Sequence, residues 1–176
     1  TVLGNSADPP YFLTTRQTIH FNPACDHWLD IAELTAHLTA CQNHAHSDPR
    51  RCEFCTRERA LAVDRYRGPF LAEFSLAGSE LFEEWALLKR ESLHRQIVEA
   101  LDLLVESCEQ QLDYQRAERY ARRLVELEPL REGSHRRLMR VLALSGQRGA
   151  ALAQYDACRR ILGAELGIEP ADETTT

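Results

Sequence analysis

The fold is decided by residues 104–117, LVESCEQQLDYQRA, because their pattern of apolar and small residues returns 34 positions later as LMRVLALSGQRGAA at residues 138–151. The shift places Leu104 on Leu138, Val105 on Met139, Cys108 on Leu142, Ala117 on Ala151 and, further on, Leu127 on Ile161. The apolar positions in each copy lie on one face of an α-helix. The two copies therefore predict helical hairpins that repeat with a fixed period.

Turn and cap residues indicate how these hairpins are built. Asp113 is predicted to cap the second helix of the first hairpin, and Ser145-Gly146 to form the turn before the second helix of the next. A period of 34 residues, with Ala117 followed twelve positions later by Pro129, is typical of tetratricopeptide (TPR) units. We therefore predict an all-α, TPR-like right-handed solenoid of helical hairpins.

Helical patterns also precede the repeat. Asp30 and Glu33 resemble a capping box that opens a helix to about Cys41, and a second helix is expected from about Cys52 to Tyr66. Ser79 is expected to cap a long third helix. We interpret one apolar stripe of that helix as core, namely Leu81, Trp85, Leu88, Ile97, Leu101, Leu104, Val105 and Cys108. Trp28 and Trp85 are interpreted as packing anchors, because aromatic side chains dominate core energetics.

The first 22 residues carry a different pattern. Residues 11–21 are rich in β-branched and aromatic types around a polar centre at Arg16-Gln17, which predicts a short β-hairpin. A lone hairpin is marginally stable in water, so it must pack on the helices or belong to an upstream domain. We accordingly divide the chain into a hairpin and linker at 1–22 and a helical domain at 23–176.

The charge distribution bears on the choice of partner. The net charge of −6 argues against a chain that coats nucleic acid through its phosphates. Residues 111–160, however, contain eleven Arg and only six acidic residues. Such a face is either a solvated surface with ion pairs between successive turns or a docking patch for another protein. On the docking hypothesis, its residues are Arg119, Arg123, Arg136 and Arg140.

A cysteine and histidine cluster occupies residues 41–55. Cys41, Cys52 and Cys55, with His44 or His46, provide the three thiolates and one imidazole of a tetrahedral zinc site. Free thiols in a reducing cytosol, or a disulfide or redox pair, are the alternatives. We expect zinc, and we expect its role to be structural, because four protein ligands leave no coordination position for a catalytic water. Cys25, Cys108 and Cys158 are interpreted as small buried residues.

Several functional classes find no support in the sequence. It contains no phosphate-binding glycine loop, no Gly-x-Ser-x-Gly elbow and no His-Glu-x-x-His pair, so we expect no enzyme activity. Apolar runs are far shorter than the roughly 20 residues that cross a bilayer, and no secretory signal is recognisable. A cytoplasmic protein without a membrane partner is expected.

The order of several motifs resembles the bacterial transcriptional activator domain of regulators of the antibiotic-regulatory-protein (SARP) type. The motifs are Trp28-Leu29-Asp30, Tyr66-Arg67-Gly68-Pro69-Phe70-Leu71, Phe82-Glu83-Glu84-Trp85, Arg136-Arg137-Leu138-Met139, Ala143-Leu144-Ser145-Gly146, and Glu165-Leu166-Gly167-Ile168-Glu169-Pro170 with Glu173-Thr174-Thr175. The resemblance implies that the hairpin is the end of an upstream winged-helix domain through which the regulator reaches DNA. It also implies that the repeats contact other domains of the same regulator, RNA polymerase or a second copy.

These observations favour a protein-interaction and regulatory domain. Two other classes stay open: a domain that contributes directly to DNA binding, and a zinc-dependent enzyme. Duplex binding with a steep salt dependence would indicate the first, and a zinc ion with an open water position would indicate the second.

Overall fold

The structure is a computed structural model and describes residues 9–45 and 48–175. Within these residues the fold is all-α and TPR-like, as predicted, with one small antiparallel hairpin at the N-terminal end. The elements are β1 (Phe12–Thr14), β2 (Ile19–Phe21), α1 (Asp30–Asn43), α2 (Glu53–Arg65), α3 (Glu80–Gln110), α4 (Tyr114–Leu127), α5 (Glu132–Leu144), α6 (Arg148–Glu165) and α7 (Asp172–Thr175).

The predicted hairpin forms, with Phe12 opposite Phe21 and Thr14 opposite Ile19. Its turn is closed by the Thr15 hydroxyl, which accepts hydrogen bonds from the backbone N–H groups of Gln17 and Thr18. At its base, the Asn22 side chain donates to the carbonyl of Pro10 at 2.8 Å. Local hydrogen bonds of this kind fix a short hairpin that has little apolar area to bury.

Helices α1 to α6 pack in sequence, each against the next, as stacked helical hairpins do. The predicted period is visible in the elements: α4 begins at Tyr114 and α6 begins 34 residues later at Arg148. The continuous core runs from Leu34 in α1 to Leu142 in α5. Its fully buried side chains include Ile97, Leu101, Leu104, Leu124, Leu138 and Leu142.

The turns of the two repeats are equivalent. Asp113 caps α4 as predicted, because its side chain accepts a hydrogen bond from the backbone N–H of Arg116 at 3.1 Å. Ser145-Gly146 forms the predicted turn, with Gly146 at a φ of 81°. Leu112, which the repeat places on Gly146, has the same left-handed conformation at a φ of 57°. The turn geometry therefore recurs even where the residue type does not suit it.

Two predicted caps differ from the structure. The N-cap of α1 is Leu29, so Asp30 lies inside the helix and accepts from the N–H of its neighbour Ile31. Glu33 forms an ion pair with Arg65 of α2 at 2.6 Å, and the predicted capping box is wrong. Ser79 is the N-cap of α3, but its side chain makes no capping hydrogen bond. Instead, the Glu83 carboxylate accepts a hydrogen bond from the backbone N–H of Leu76 at 2.6 Å, which holds the segment before α3 against the first turns of the helix.

The apolar stripe of α3 is core over only part of its length. Ile97, Leu101, Leu104, Val105 and Cys108 are buried as predicted, but Leu81, Trp85 and Leu88 are 82%, 51% and 62% exposed. Nine residues, or about two and a half helical turns, separate Leu88 from Ile97, so the three exposed side chains lie on the opposite side of α3 from the buried ones. Trp85 and Trp28 are 51% and 61% exposed, so neither belongs to the buried core, although Trp85 packs against Phe70 and Phe82.

Candidate protein-docking surfaces

An exposed apolar side of α3, near the N-terminal end of the helix, forms the first candidate surface. We call Leu81, Trp85 and Leu88, each about one helical turn from the next, the α3 N-terminal face. The edge of the Phe70 ring meets the ring of Trp85 with centroids 5.5 Å apart, and Phe82 lies 5.6 Å from Trp85. These contacts hold the tryptophan in place although half of its surface is exposed.

The segment before α3 is pinned beside this face. The Arg90 guanidinium donates to the carbonyls of Phe70 at 2.6 Å and Leu71 at 2.7 Å. Phe74 packs edge-on against Phe82, with centroids 5.6 Å apart, yet remains half exposed. A groove of about 860 Å³ adjoins Phe70 and Trp85 and continues along Ile31, Thr35 and Ala36 of α1. The apolar surface therefore extends from α3 across to α1.

The structure does not bring the four predicted docking arginines into one cavity. Arg123 of α4 donates to the backbone carbonyl of Tyr66, at the C-terminal end of α2. Arg119 lies over the ring of the adjacent Tyr120, with its guanidinium carbon 5.2 Å from the centroid. Arg136 and Arg140 of α5 line a separate groove near the C-terminus. Arg123 thus has a structural role in joining α4 to α2.

The groove beside α5 is the second candidate surface, and we call it the α5–α6 groove. It has a volume of about 880 Å³ and lies between α5, α6 and the C-terminal segment. Its floor is made of small and apolar side chains, including Met139, Ala143, Ala151 and Leu152. Arg136, Arg140 and Arg148 stand around that floor.

The C-terminal segment closes one end of the α5–α6 groove. Glu132, at the start of α5, accepts hydrogen bonds from the Thr174 hydroxyl at 2.7 Å and the backbone N–H of Ala171 at 3.0 Å. Arg136 donates to the Thr174 hydroxyl at 3.0 Å and lies 3.5 Å from the carboxylate of Glu173. The pKa of Glu132 is lowered, chiefly by the hydrogen bond from Thr174. Residues 171–175 are thereby fixed on α5, and we call these contacts the C-terminal latch.

The predicted metal ligands lie partly together. The sulfur of Cys41 lies 3.5 Å from the carbonyl oxygen of Cys55, and both cysteines are buried. Cys52 is the N-cap of α2, and its side chain is hydrogen bonded to that of Cys55. The ring of His44 lies against Phe54, with centroids 4.6 Å apart. His46 lies outside the described residues.

The thiols of this cluster differ in acidity. The backbone N–H of Cys55 is the main cause that lowers the pKa of Cys52. Burial raises the pKa of Cys55 to about 12, and burial also raises the pKa of Cys41. Across residues 9–45 and 48–175, no three His, Cys, Asp or Glu side chains are arranged to hold a metal ion. Cys25, Cys108 and Cys158 are buried as predicted.

Several residues of the α5–α6 groove were missed from the sequence. Arg148, Leu152 and Tyr155 recur every three or four residues on α6, which is a helical face. That periodicity is visible in the sequence, but it cannot distinguish a face packed on a neighbour from one left open at the end of a repeat array. The long-range pairing of Thr174 with Glu132 has no sequence signal of its own.

Fold and surfaces together define an all-helical repeat domain with open grooves and exposed apolar faces. The sequence profile of the Bacterial transcriptional activator domain family matches residues 29–176, and the chain belongs to this family. The family is one of regulatory domains in bacterial transcription. No curated protein matches the chain. Among the described residues, no helix is both long enough and apolar enough to cross a bilayer.

Proposed function

We propose that the chain is a protein-interaction and regulatory domain of a cytoplasmic bacterial transcription regulator, and that two copies pair through the α3 N-terminal face. The observation that carries the proposal is the exposure of Leu81, Trp85 and Leu88 together on the side of α3 opposite its buried face. Large contiguous apolar patches on soluble domains commonly mark interaction sites. Covering this face with another protein would bury large apolar side chains that the chain's own helices leave exposed.

A second copy is the occupant that we favour for this face. Most homo-oligomers have two-fold symmetry, in which the same patch on each subunit contacts its equivalent. A straight helical stripe suits this arrangement, because two copies can pack along it by placing ridges into grooves. Contacts with other domains of the same regulator and with RNA polymerase would then use the remaining surfaces. We expect no catalytic activity from the domain.

Sedimentation velocity across micromolar concentrations tests the pairing. The chain should show a monomer–dimer equilibrium, and the double variant Leu81→Glu/Leu88→Glu should shift it to monomer by at least about tenfold in dissociation constant. Leu152→Glu is the matched control, because Leu152 is 68% exposed but lies in the other groove. A chain that stays monomeric throughout, or a double variant that pairs as before, would refute the proposal.

Direct DNA binding is the competing function. Under our proposal the chain alone has no sequence-specific affinity for duplex DNA, because its net charge is −6 and DNA contact is assigned to an upstream winged-helix domain. Tight, sequence-dependent binding of the isolated chain, weakened steeply by salt, would support the competing function instead.

We further propose a structural zinc ion bound by Cys41, Cys52, Cys55 and either His44 or His46. Two observations support this proposal. The thiols of Cys41 and Cys52 both lie near Cys55. Thiolates and an imidazole are also ligands that zinc prefers. The ion would tie the end of α1 to the start of α2. A site with four protein ligands holds no substrate water, so its role would be structural.

A further inference from the structure

The α5–α6 groove combines an apolar floor with a rim of positive charge. We infer that it binds an acidic amphipathic helix of a partner protein. The inference rests on the proposed function only in treating the chain as an interaction domain, since the groove lies apart from the α3 N-terminal face.

The shape of the groove fits a helix. In an array of stacked helical hairpins, each pair buries its outer face under the next pair. Leu152, 68% exposed, and the half-buried Tyr155 lie on the outer face of α6, where such a helix would pack. Ala143 and Ala151 are small, so the backbone of an incoming helix can approach closely. Laying the apolar side of a helix into a groove is a common mode of peptide recognition.

The charge of the groove selects an acidic occupant. Three Arg and one acidic residue line the groove, namely Arg136, Arg140, Arg148 and Glu173, in a chain whose net charge is −6. Among the described residues, the exposed Arg148 side chain has no hydrogen-bond or ion-pair partner. Arg140 is exposed, and the one carboxylate that it reaches within the described part of the chain is that of Glu109, at 3.4 Å. Both arginines can therefore take new carboxylate partners at the rim.

The chain itself provides an example of this recognition. Its acidic C-terminal segment already lies at one end of the groove, where Arg136 contacts the Glu173 carboxylate at 3.5 Å and the Thr174 hydroxyl at 3.0 Å. An incoming acidic helix would extend the same chemistry along the groove to Arg140 and Arg148. Where the two overlap, it would compete with Glu173 for Arg136.

Fluorescence anisotropy with a designed peptide tests this inference on the full chain. The probe is a labelled helix of about 15 residues, roughly 22 Å long, with Leu on one face and Glu on the other. A second peptide has Lys in place of every Glu. The acidic peptide should bind, its affinity should fall as NaCl is raised because exposed charges are screened, and the basic peptide should bind at least about tenfold more weakly.

Matched variants assign the binding to the groove. Arg148→Glu and Leu152→Glu should each weaken binding of the acidic peptide by at least about tenfold, whereas Arg160→Glu should change it by less than about twofold. Arg160 is the control because it is an exposed arginine of the same helix that does not line the groove. Glu173→Gln should strengthen binding, because it frees Arg136.

Three outcomes would overturn the inference: no binding of the acidic peptide, equal binding of the basic peptide, or full affinity in Arg148→Glu. Circular dichroism of each variant verifies that it is folded. The oligomeric state is measured separately, and Leu152→Glu should leave it unchanged. The experiments therefore distinguish a groove that does not bind the acidic peptide from a chain that does not pair through α3.

Discussion

Glu132 accepts a hydrogen bond from the hydroxyl of Thr174 at 2.7 Å, although 42 residues separate them in the chain. The same carboxylate accepts from the backbone N–H of Ala171 at 3.0 Å. One side chain at the start of α5 thus positions both ends of the short helix α7. The position of the C-terminal segment at the mouth of the α5–α6 groove depends on this contact.

Removing the Thr174 hydroxyl should open the C-terminal latch without unfolding the domain. Thr174→Val keeps the shape of the side chain but leaves Glu132 and Arg136 without their shared partner. A hydrogen bond to a charged group contributes about 1.5–3 kcal/mol, so exchange of the Ala171 amide should quicken by about tenfold or more. Hydrogen exchange followed by NMR measures this change. Thr175→Val is the control, because the Thr175 hydroxyl donates only to the nearby carbonyl of Asp172. Equal exchange rates in the two variants would show that the latch does not hold the segment.

The latch should also weaken in acid. The Thr174 hydroxyl and then the Ala171 N–H lower the pKa of Glu132 below its ordinary value of 4.5 in the folded chain. A lowered folded pKa means that the stabilisation is fully present above 4.5 and is lost as the pH falls through the folded pKa. The chemical shift of the Ala171 amide should therefore titrate below pH 4.5. Glu132→Gln should abolish this titration, and a titration that persists in that variant would assign it to another group.

The success and the failures of sequence reasoning have identifiable physical causes. The match of Leu104 to Leu138 and of Ala117 to Ala151 revealed the repeat, because packing inside stacked hairpins demands similar side chains at equivalent positions. The same periodicity misassigned Leu81 to the core. Spacings of three and four residues join Leu81 to Leu88, but the nine residues from Leu88 to Ile97 are about two and a half turns, so the two groups lie on opposite sides of α3.

The roles of the candidate site residues were harder still to predict, because they depend on contacts between residues that are far apart in the chain. Arg123 and Arg136 are both arginines on amphipathic helices, yet one holds the carbonyl of Tyr66 and the other holds the C-terminal segment. Partners 57 and 38 residues away determine those roles. No spacing rule within a helix could have separated them.

An ion-pair network between α3 and α5 should be a measurable source of stability. Arg137 lies 3.1 Å from Glu106 and 3.3 Å from Asp102, and Arg50 also reaches Glu106 at 2.5 Å. Burial raises the pKa of Glu106, but the hydrogen bonds from Arg50 and Arg137 outweigh it and leave the pKa lowered. Arg137→Ala should reduce the free energy of unfolding by about 1–2 kcal/mol, because both carboxylates lose a partly buried partner.

The control for this prediction is an exposed pair on one helix. Arg122 lies 2.7 Å from Glu118, four residues away on α4. Arg122→Ala should therefore cost only about 0.3–0.5 kcal/mol. Urea denaturation of both variants gives the comparison. If both variants lose the same free energy of unfolding, the network between α3 and α5 stabilises the domain no more than an exposed ion pair does.

Zinc binding is tested by elemental analysis of protein purified without chelators. About one zinc per chain is expected, and Cys52→Ser should lose it because a thiolate ligand is removed. Cys25→Ser should retain the metal, since the Cys25 sulfur donates to the carbonyl of Asn22 and lies outside the cluster. The loss of zinc should also expose the loop between α1 and α2 to proteolysis.

If the protein binds no zinc, the order in which the cluster thiols react should be measurable. In metal-free protein the three thiols of the cluster should be free, and their reactivity should follow their acidity. Cys52, with its lowered pKa, should react with a thiol reagent first, and Cys55, with a pKa of about 12, should react last. Finding this order together with no bound metal would refute the zinc proposal and leave the cluster as ordinary cysteines.

The two equivalent turns should respond oppositely to the same kind of substitution. Leu112 has a φ of 57°, a conformation that costs a residue with a Cβ atom about 1–2 kcal/mol, and its side chain is 70% exposed. Leu112→Gly removes that strain and loses little packing, so it should stabilise the domain by up to about 1 kcal/mol after the greater chain entropy of glycine is deducted. Gly146→Ala introduces the strain at a φ of 81° and should destabilise by about 1 kcal/mol, although open space surrounds the position. Thermal denaturation of both variants should give melting temperatures on opposite sides of the parent value. Shifts in the same direction would show that side-chain contacts, rather than backbone conformation, control these turns.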